Sequence, residues 1–318
     1  MWIDARSSSI PAISRNIGAM TMSPLPLDPK WPRANSLFSK EFAQADVGLI
    51  GIPAHKTSIS PTSSHLTPMA IRNSLGRYST YSASIGVDLR DSAFADLGDV
   101  DDPDFEEGRG RVKAAVQNAR RDFKLLIALG GDNSITHSVA SGMWRDLSKV
   151  GLITLDAHHD LRDGDSNGSP VQQLIEAGVA GTNVVQIGIS DFANSKEYSE
   201  RARQYGITVV NREILRKRPM QDVMAEALEI AGKDGNEIYV DLDVDVCDRS
   251  VAPACPASVP GGISADELRI AARVAASDAR VRGMDITEID ASLDTPDQRT
   301  IRLAALLVLE AAAGVALR

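Results

Sequence analysis

The sequence predicts an α/β fold, a single doubly wound domain on a wide, mostly parallel sheet of eight strands. Three observations predict it. From about residue 45, short β-branched runs alternate with amphipathic stretches of helical length, the pattern of successive βαβ units. The strand-like runs number eight, and neither a linker nor an internal repeat divides the chain after residue 45. With 318 residues, 43% of them hydrophobic, the chain can bury one large core.

The first thirty residues, MWIDARSSSIPAISRNIGAMTMSPLPLDPK, are rich in Ser and Pro, carry Arg6 and Arg15, and lack a secretory apolar segment. Residues 1–40 are expected to form an arm, flexible or in contact with an oligomer partner, with a transit peptide as the alternative. Residues 41–318 are expected to form the domain. Strands are expected at 46–53 (DVGLIGIP), 92–100 (SAFADLGDV), 124–131 (KLLIALGG), 150–157 (VGLITLDA), 183–190 (NVVQIGIS), 206–211 (GITVVN), 237–246 (EIYVDLDVDV) and 282–290 (RGMDITEID). Helices are expected from TPMAIRNSLGRYS, SITHSVASGMWRDL, PVQQLIEAGV, MQDVMAEALEIAG, SADELRIAARVAASD and QRTIRLAALLVLEAAA. In the fifth of these, Ser264 at the cap and Glu267 three residues on form a capping-box signature.

Composition excludes several functions. There are 34 Lys+Arg against 43 Asp+Glu, a net charge of -9, and only 4% aromatics, so nucleic acid is a poor candidate partner. No apolar stretch is long enough to span a membrane. Cys247 and Cys255 are too few for a disulfide framework and lack metal-site spacing, which suits a reducing cytoplasm; both read as small apolar fillers.

Ligands of open parallel sheets bind beyond the carboxyl ends of the strands. Four of the expected strands end in polar clusters, GGDN, DAHHD, DLDVDVCD and DITEID, which should meet at one edge. Asp156, His158 and Asp160 stand at alternate positions, so in an extended segment they share one side, and Asp243 and Asp245 repeat that period. One such pair of acids is common on solvated loops. Two of them with a histidine, converging at a buried edge, call for divalent cations to balance the charge, and hard carboxylates with imidazole suit a pair of manganese ions.

Four ordered motifs, LGGDNSIT, DAHHDLRD, DLDVDVCDRSVAPACPASVPGG and GMDITEID, resemble those of the ureohydrolases, the arginase, agmatinase and formimidoylglutamase superfamily. The resemblance implies a three-layer α/β/α fold and a binuclear manganese centre whose bridging hydroxide attacks an amidine or guanidine carbon. It also implies a trimer or hexamer. It makes Asn133, Asp156, His158, Asp160, Asp243 and Asp245 the metal ligands. Asn133 stands where most relatives have His, so one manganese site should be weaker. Asn167 replaces the His of the arginases' His-Gly-x-Pro segment and cannot titrate, which leaves Asp160 and the metal-bound water to protonate the leaving nitrogen. Glu288 matches the acid that pairs with the cationic end of substrate, and a carboxylate is expected to hold such a planar cation in bidentate fashion. His159 should point away from the centre and be structural.

Arg162 falls where arginases carry an Asn that contacts the amino-acid end of substrate. Arginine suits a carboxylate, so the substrate should be an amidine or guanidine that also carries an acid, and agmatine is disfavoured. Without the resemblance, a salt bridge from Arg162 to Asp163 or Asp165 is an equal reading. DLRDGDSNGSPVQQLIEAG and VVQIGISDFANS look closest to formimidoylglutamases, which implies hydrolysis of N-formimino-L-glutamate to glutamate and formamide, a step of histidine degradation. A guanidino-acid hydrolase releasing urea is the rival, arginase comes third, and a degenerate scaffold without activity is the non-enzyme alternative. Asp191 and Asn194 are candidates for reading the substrate's α-amino group, and VAPACPASVPGG is expected to form one wall of the cleft.

Overall fold

The computed structural model describes residues 28–39, 45–119 and 123–318, and Pro32–Arg318 forms one compact unit. The expected arm lies outside the described residues through residue 27 and again at residue 40.

In chain order the strands are β1 (Phe38–Ser39), β2 (Val47–Ile52), β3 (Tyr81–Ser82), β4 (Val87–Asp88), β5 (Phe94–Asp99), β6 (Leu125–Gly130), β7 (Val150–Leu155), β8 (Val184–Ile189), β9 (Thr208–Asn211), β10 (Glu237–Asp243) and β11 (Val281–Thr287). The helices are α1 (Thr67–Leu75), α2 (Phe105–Ala119), α3 (Ile135–Met143), α4 (Pro170–Glu176), α5 (Lys196–Tyr205), α6 (Arg212–Leu215), α7 (Met220–Ala231), α8 (Ala265–Ser277) and α9 (Arg299–Val315). All eight expected strands form and belong to one sheet, in the order β1-β5-β2-β6-β11-β10-β7-β8-β9, and every pairing in it is parallel. The sequence reading missed the two-residue edge strand β1 and the small antiparallel hairpin of β3 and β4, both too short to show a period.

The central strands are aliphatic on both faces because helices cover both faces. Along β6, Leu125, Ile127 and Leu129 join one core while Leu126 and Ala128 join the other. The first core takes Ile71 and Leu75 of α1, Val223 and Met224 of α7, Leu268 of α8 and Ile301 of α9. The second takes Val112 and Val116 of α2, Val139 of α3, Val171 of α4 and Ala202 of α5. Three layers, α/β/α, follow from this partition.

Helix α8 starts as its sequence requires: Glu267 N donates to Ser264 Oγ at 3.2 Å and Ser264 N donates to Glu267 Oε2 at 2.7 Å. Helix α3 ends earlier than SITHSVASGMWRDL suggests, because Trp144 turns extended and donates from Nε1 to Glu237 Oε2 at 2.6 Å. Among the described residues no helix is long and apolar enough to cross a membrane.

Strand order decides where the polar clusters go. β6, β11, β10 and β7 are consecutive neighbours in mid-sheet, so the segments that leave their carboxyl ends converge.

Candidate metal centre

Asp156 follows β7 directly, Asp243 ends β10, and both carboxylates are buried, as are Asp160 and Asp245. Their donor atoms form two overlapping groups. Asp156, His158 and Asp245 each place one ligand atom within 4.8 Å of the others, and Asp156, Asp160 and Asp243 do the same. Asp156 belongs to both.

Local hydrogen bonds aim these side chains. Asp156 Oδ1 accepts from His158 N at 2.6 Å, Asp245 Oδ1 from Ala157 N at 2.9 Å, and Asp243 Oδ1 from Asp245 N at 2.8 Å. The convergence does not come from strand alternation. The chain leaves β7 before Asp156, Asp160 has φ +51°, and Asp245 lies in a 3-10 turn capped by Asp243. The period of two was the right signal with the wrong geometry behind it, since turns, not an extended strand, bring these side chains together.

The electrostatics of the acids favour added positive charge. Burial, then the neighbouring acids, push the Asp156 and Asp243 carboxyls well above the usual range, and burial lifts Asp160 to about 7. Burial disfavours a charged His158, yet Asp245, with Oδ2 2.7 Å from His158 Nδ1, outweighs it and the imidazole rises to about 9. Asp156 Oδ2 is buried with no hydrogen-bond partner among the described residues. Four carboxylates, one imidazole and an orphaned buried oxygen fit hard divalent cations.

Asn133 behaves differently from the ligand that the resemblance implies. Its Nδ2 donates to Asp160 Oδ2 at 2.7 Å, while its Oδ1 accepts from Thr136 Oγ1 at 2.9 Å and Thr287 Oγ1 at 3.0 Å. The amide oxygen is thus turned away from the acids. Close to it are two fully buried carboxylates that the sequence reading missed: Asp241, and Asp285, whose Oδ2 accepts from Tyr239 Oη at 2.6 Å and shares the single Thr136 Oγ1 proton, at 2.8 Å, with Asn133 Oδ1. The available signal was the placement of an acid inside each of two central strands. Arg212 was missed as well; buried, it donates to the carbonyls of Gly188 at 3.0 Å and Asp245 at 3.1 Å.

A cavity of about 410 Å³ opens over the acids, and Asp160, Arg162, Asn167, Asp243 and Glu288 are among its lining residues. Glu288 has φ +62° and its N donates to Gly131 O at 3.0 Å. Gly131 in turn lies tight against Ala54, where a Cβ would fall 2.0 Å from Ala54 O. Glu288 Oε1 accepts from Asn133 N at 2.8 Å and from Asn167 Nδ2 at 2.7 Å. Burial, then nearby Asp132, lift its carboxyl to about 8.

Arg162 is exposed at the cavity, and its guanidinium makes no ion pair among the described residues. The two acids that could have engaged it are occupied: Asp163 pairs with Arg201 at 2.6 Å, and Asp165 pairs with Arg109.

The remaining expectations divide. His159 does point away, with Nδ1 2.7 Å from Gln186 Oε1 and Nε2 3.3 Å from Ser199 Oγ. Asn194 lines the cavity, but its amide braces the ligand loop, accepting from His159 N at 2.8 Å and donating to Ala157 O at 2.9 Å. Asp191 lines a neighbouring cavity and not this one. Cys247 and Cys255 are fully buried in the core, and Ala257 brings the 251–262 loop to the cavity wall. Ile59 and Ser60 form a facing wall that motif reading did not single out.

Known proteins share this arrangement. The arginase family pattern matches residues 45–314. Formimidoylglutamase of Bacillus subtilis is 34% identical over 279 residues, covering 85% of this chain and 87% of the relative. That of Halalkalibacterium halodurans is 35% identical over 271 residues, covering 82% and 85%. The crystal structure of the B. subtilis enzyme superposes with a TM-score of 0.86 at 31% identity, covering 92% of this chain and 94% of the other. Trypanosoma cruzi formiminoglutamase, solved with manganese, gives a TM-score of 0.82 at 25% identity, covering 91% and 99%. From strand order to acid cluster, this chain belongs to the arginase family.

Proposed function

We propose that this protein is a manganese-dependent formimidoylglutamase, which hydrolyses N-formimino-L-glutamate to L-glutamate and formamide. One observation carries the choice of substrate: a single cavity is lined by Glu288 beside the acid cluster and by Arg162, which makes no ion pair among the described residues. A ligand that satisfies both ends is cationic at one and anionic at the other. The curated relatives named formimidoylglutamase support the same reading.

Asp156, His158 and Asp245 would hold one manganese ion, and Asp156, Asp160 and Asp243 the second. When bound, the pair supplies Lewis acidity and lowers the pKa of a water. Asn133 adjoins the second set, which lacks an imidazole, so that set would hold its ion more weakly. Glu288 Oε2 accepts from the amidinium end and fixes its carbon over the acids, while Arg162 holds the far carboxylate. Asp160 Oδ1, which Asn133 leaves free, carries a proton to the departing amine. Water's oxygen ends on the formimidoyl carbon as formamide; the bond from that carbon to the glutamate nitrogen breaks, and both of water's protons end on that nitrogen, which leaves the cationic amidine as the ammonium group of glutamate. A homotrimer or hexamer in the cytoplasm belongs to the same reading.

The test is turnover by manganese-loaded protein of N-formimino-L-glutamate, 4-guanidinobutyrate, 3-guanidinopropionate, arginine and agmatine, with and without a chelator. Formamide release from the first, lost on chelation and regained with manganese, is expected. Urea from a guanidino acid as the main product would replace the substrate, and silence across the panel would favour a scaffold.

A further inference from the structure

Glu288 faces the cavity with only one oxygen free. A carboxylate oxygen has two lone-pair directions. At Oε1, Asn133 N at 2.8 Å and Asn167 Nδ2 at 2.7 Å supply two donors, while Oε2 accepts from no described residue. The Asn167 amide cannot turn over, because its Oδ1 accepts from Ile59 N at 2.9 Å. Its N–H groups therefore face Glu288, and Oε1 is saturated before any substrate arrives.

We infer that Asn167 is a specificity-determining residue that makes Glu288 a one-oxygen acceptor and so selects a formamidine end over a guanidine end. The inference rests on the reading of the site as an amidine hydrolase. A guanidinium presents two terminal amines in a fork that matches both oxygens of a carboxylate. At Glu288 the second amine meets an oxygen already filled, and its N–H stays without an acceptor in a buried site. A formimidoyl group carries hydrogen on carbon in that place and needs no acceptor. An unpaired buried donor corresponds to roughly 10- to 100-fold discrimination.

The matched ligands are N-formimino-L-glutamate and its guanidino counterpart, 2-guanidinoglutarate, which differ by one amino group in place of one hydrogen. Wild-type manganese-loaded enzyme should favour the first in kcat/KM by more than about tenfold, and N167A should narrow the ratio by about tenfold or more. A general loss of structure would lower both values together and leave the ratio alone, so parallel falls overturn the inference. Affinities of wild type and N167A for formamidinium and guanidinium ions, read by calorimetry, test it independently of the acid. Wild type should prefer formamidinium, with the preference reduced in N167A. Equal affinities in wild type overturn the inference even if formiminoglutamate is turned over. If wild type turns over neither acid, the proposed function fails, and the ion affinities still decide the role of Asn167.

Discussion

Arg201 donates from Nη1 to Asp163 Oδ1 at 2.6 Å and to the carbonyl of Leu161 at 2.8 Å, holding the acid that adjoins Arg162 in sequence. Arg162 is thereby left to the cavity. R162A should raise KM for an acidic amidine by about 10- to 100-fold with a smaller change in kcat, the range for losing a charge-assisted contact. R201A should raise KM a few-fold by freeing Asp163 to engage Arg162. Steady-state kinetics on both variants check this, and an unchanged KM in R162A would remove the carboxylate clasp.

Manganese should stabilise the fold, because Asp156, Asp160, Asp243 and Asp245 repel one another when no cation lies between them. At a hundredfold excess over its dissociation constant, a bound ion adds about 2.7 kcal/mol, enough to raise the melting midpoint by several degrees. D243N should melt higher than wild type after chelation and gain less from manganese. Calorimetry with and without chelator decides, and coincident melts would show that no ion is held there.

His137 provides a pH dependence away from the acids. Burial, followed by Lys113 and Arg109, lowers its pKa from the usual 6.5 to about 4, and its buried Nδ1 has no partner among the described residues. Between those values the unfolded chain binds the proton and the folded one does not, so this contribution is complete above pH 6.5 and fades as pH falls towards 4. After allowance for partial exposure, it amounts to about 2 kcal/mol. H137L should lose that slope relative to wild type in urea titrations at pH 5 and pH 7; parallel slopes would refute it.

G131A places a methyl carbon 2.0 Å from Ala54 O and 2.6 Å from Ala54 N, at the residue whose carbonyl accepts from Glu288 N. Overpacking of this kind costs about 1–3 kcal/mol and should displace Glu288 as well. Urea denaturation and kcat/KM should fall together, and a stable, fully active variant would contradict the close approach.

Much of this was legible in the sequence. The eight long strands announced themselves through aliphatic runs such as KLLIALGG, because strands covered on both faces need no polar alternation. The acids Asp156, Asp160, Asp243 and Asp245 stood out because charge at a buried strand end has few uses. What stayed hidden depended on partners far away in sequence. No local pattern tells that Asn167 meets Glu288, or that Arg109 and Arg201 remove the neighbours of Arg162. The amide of Asn133 turns as it does because Thr136 and Thr287 offer hydroxyls to its oxygen, a fact of packing and not of motif.

Asp160 and Glu288 both stand in left-handed backbone, at φ +51° and +62°, where glycine or asparagine would rest more easily. Together they hold on the order of 2 kcal/mol of strain. A search for hardier variants, whether in the laboratory or by drift under heat, would therefore converge on these two positions and erase them. Durability and turnover pull in opposite directions at the same pair of residues, so screens for thermal tolerance on this scaffold should hold both fixed and look elsewhere.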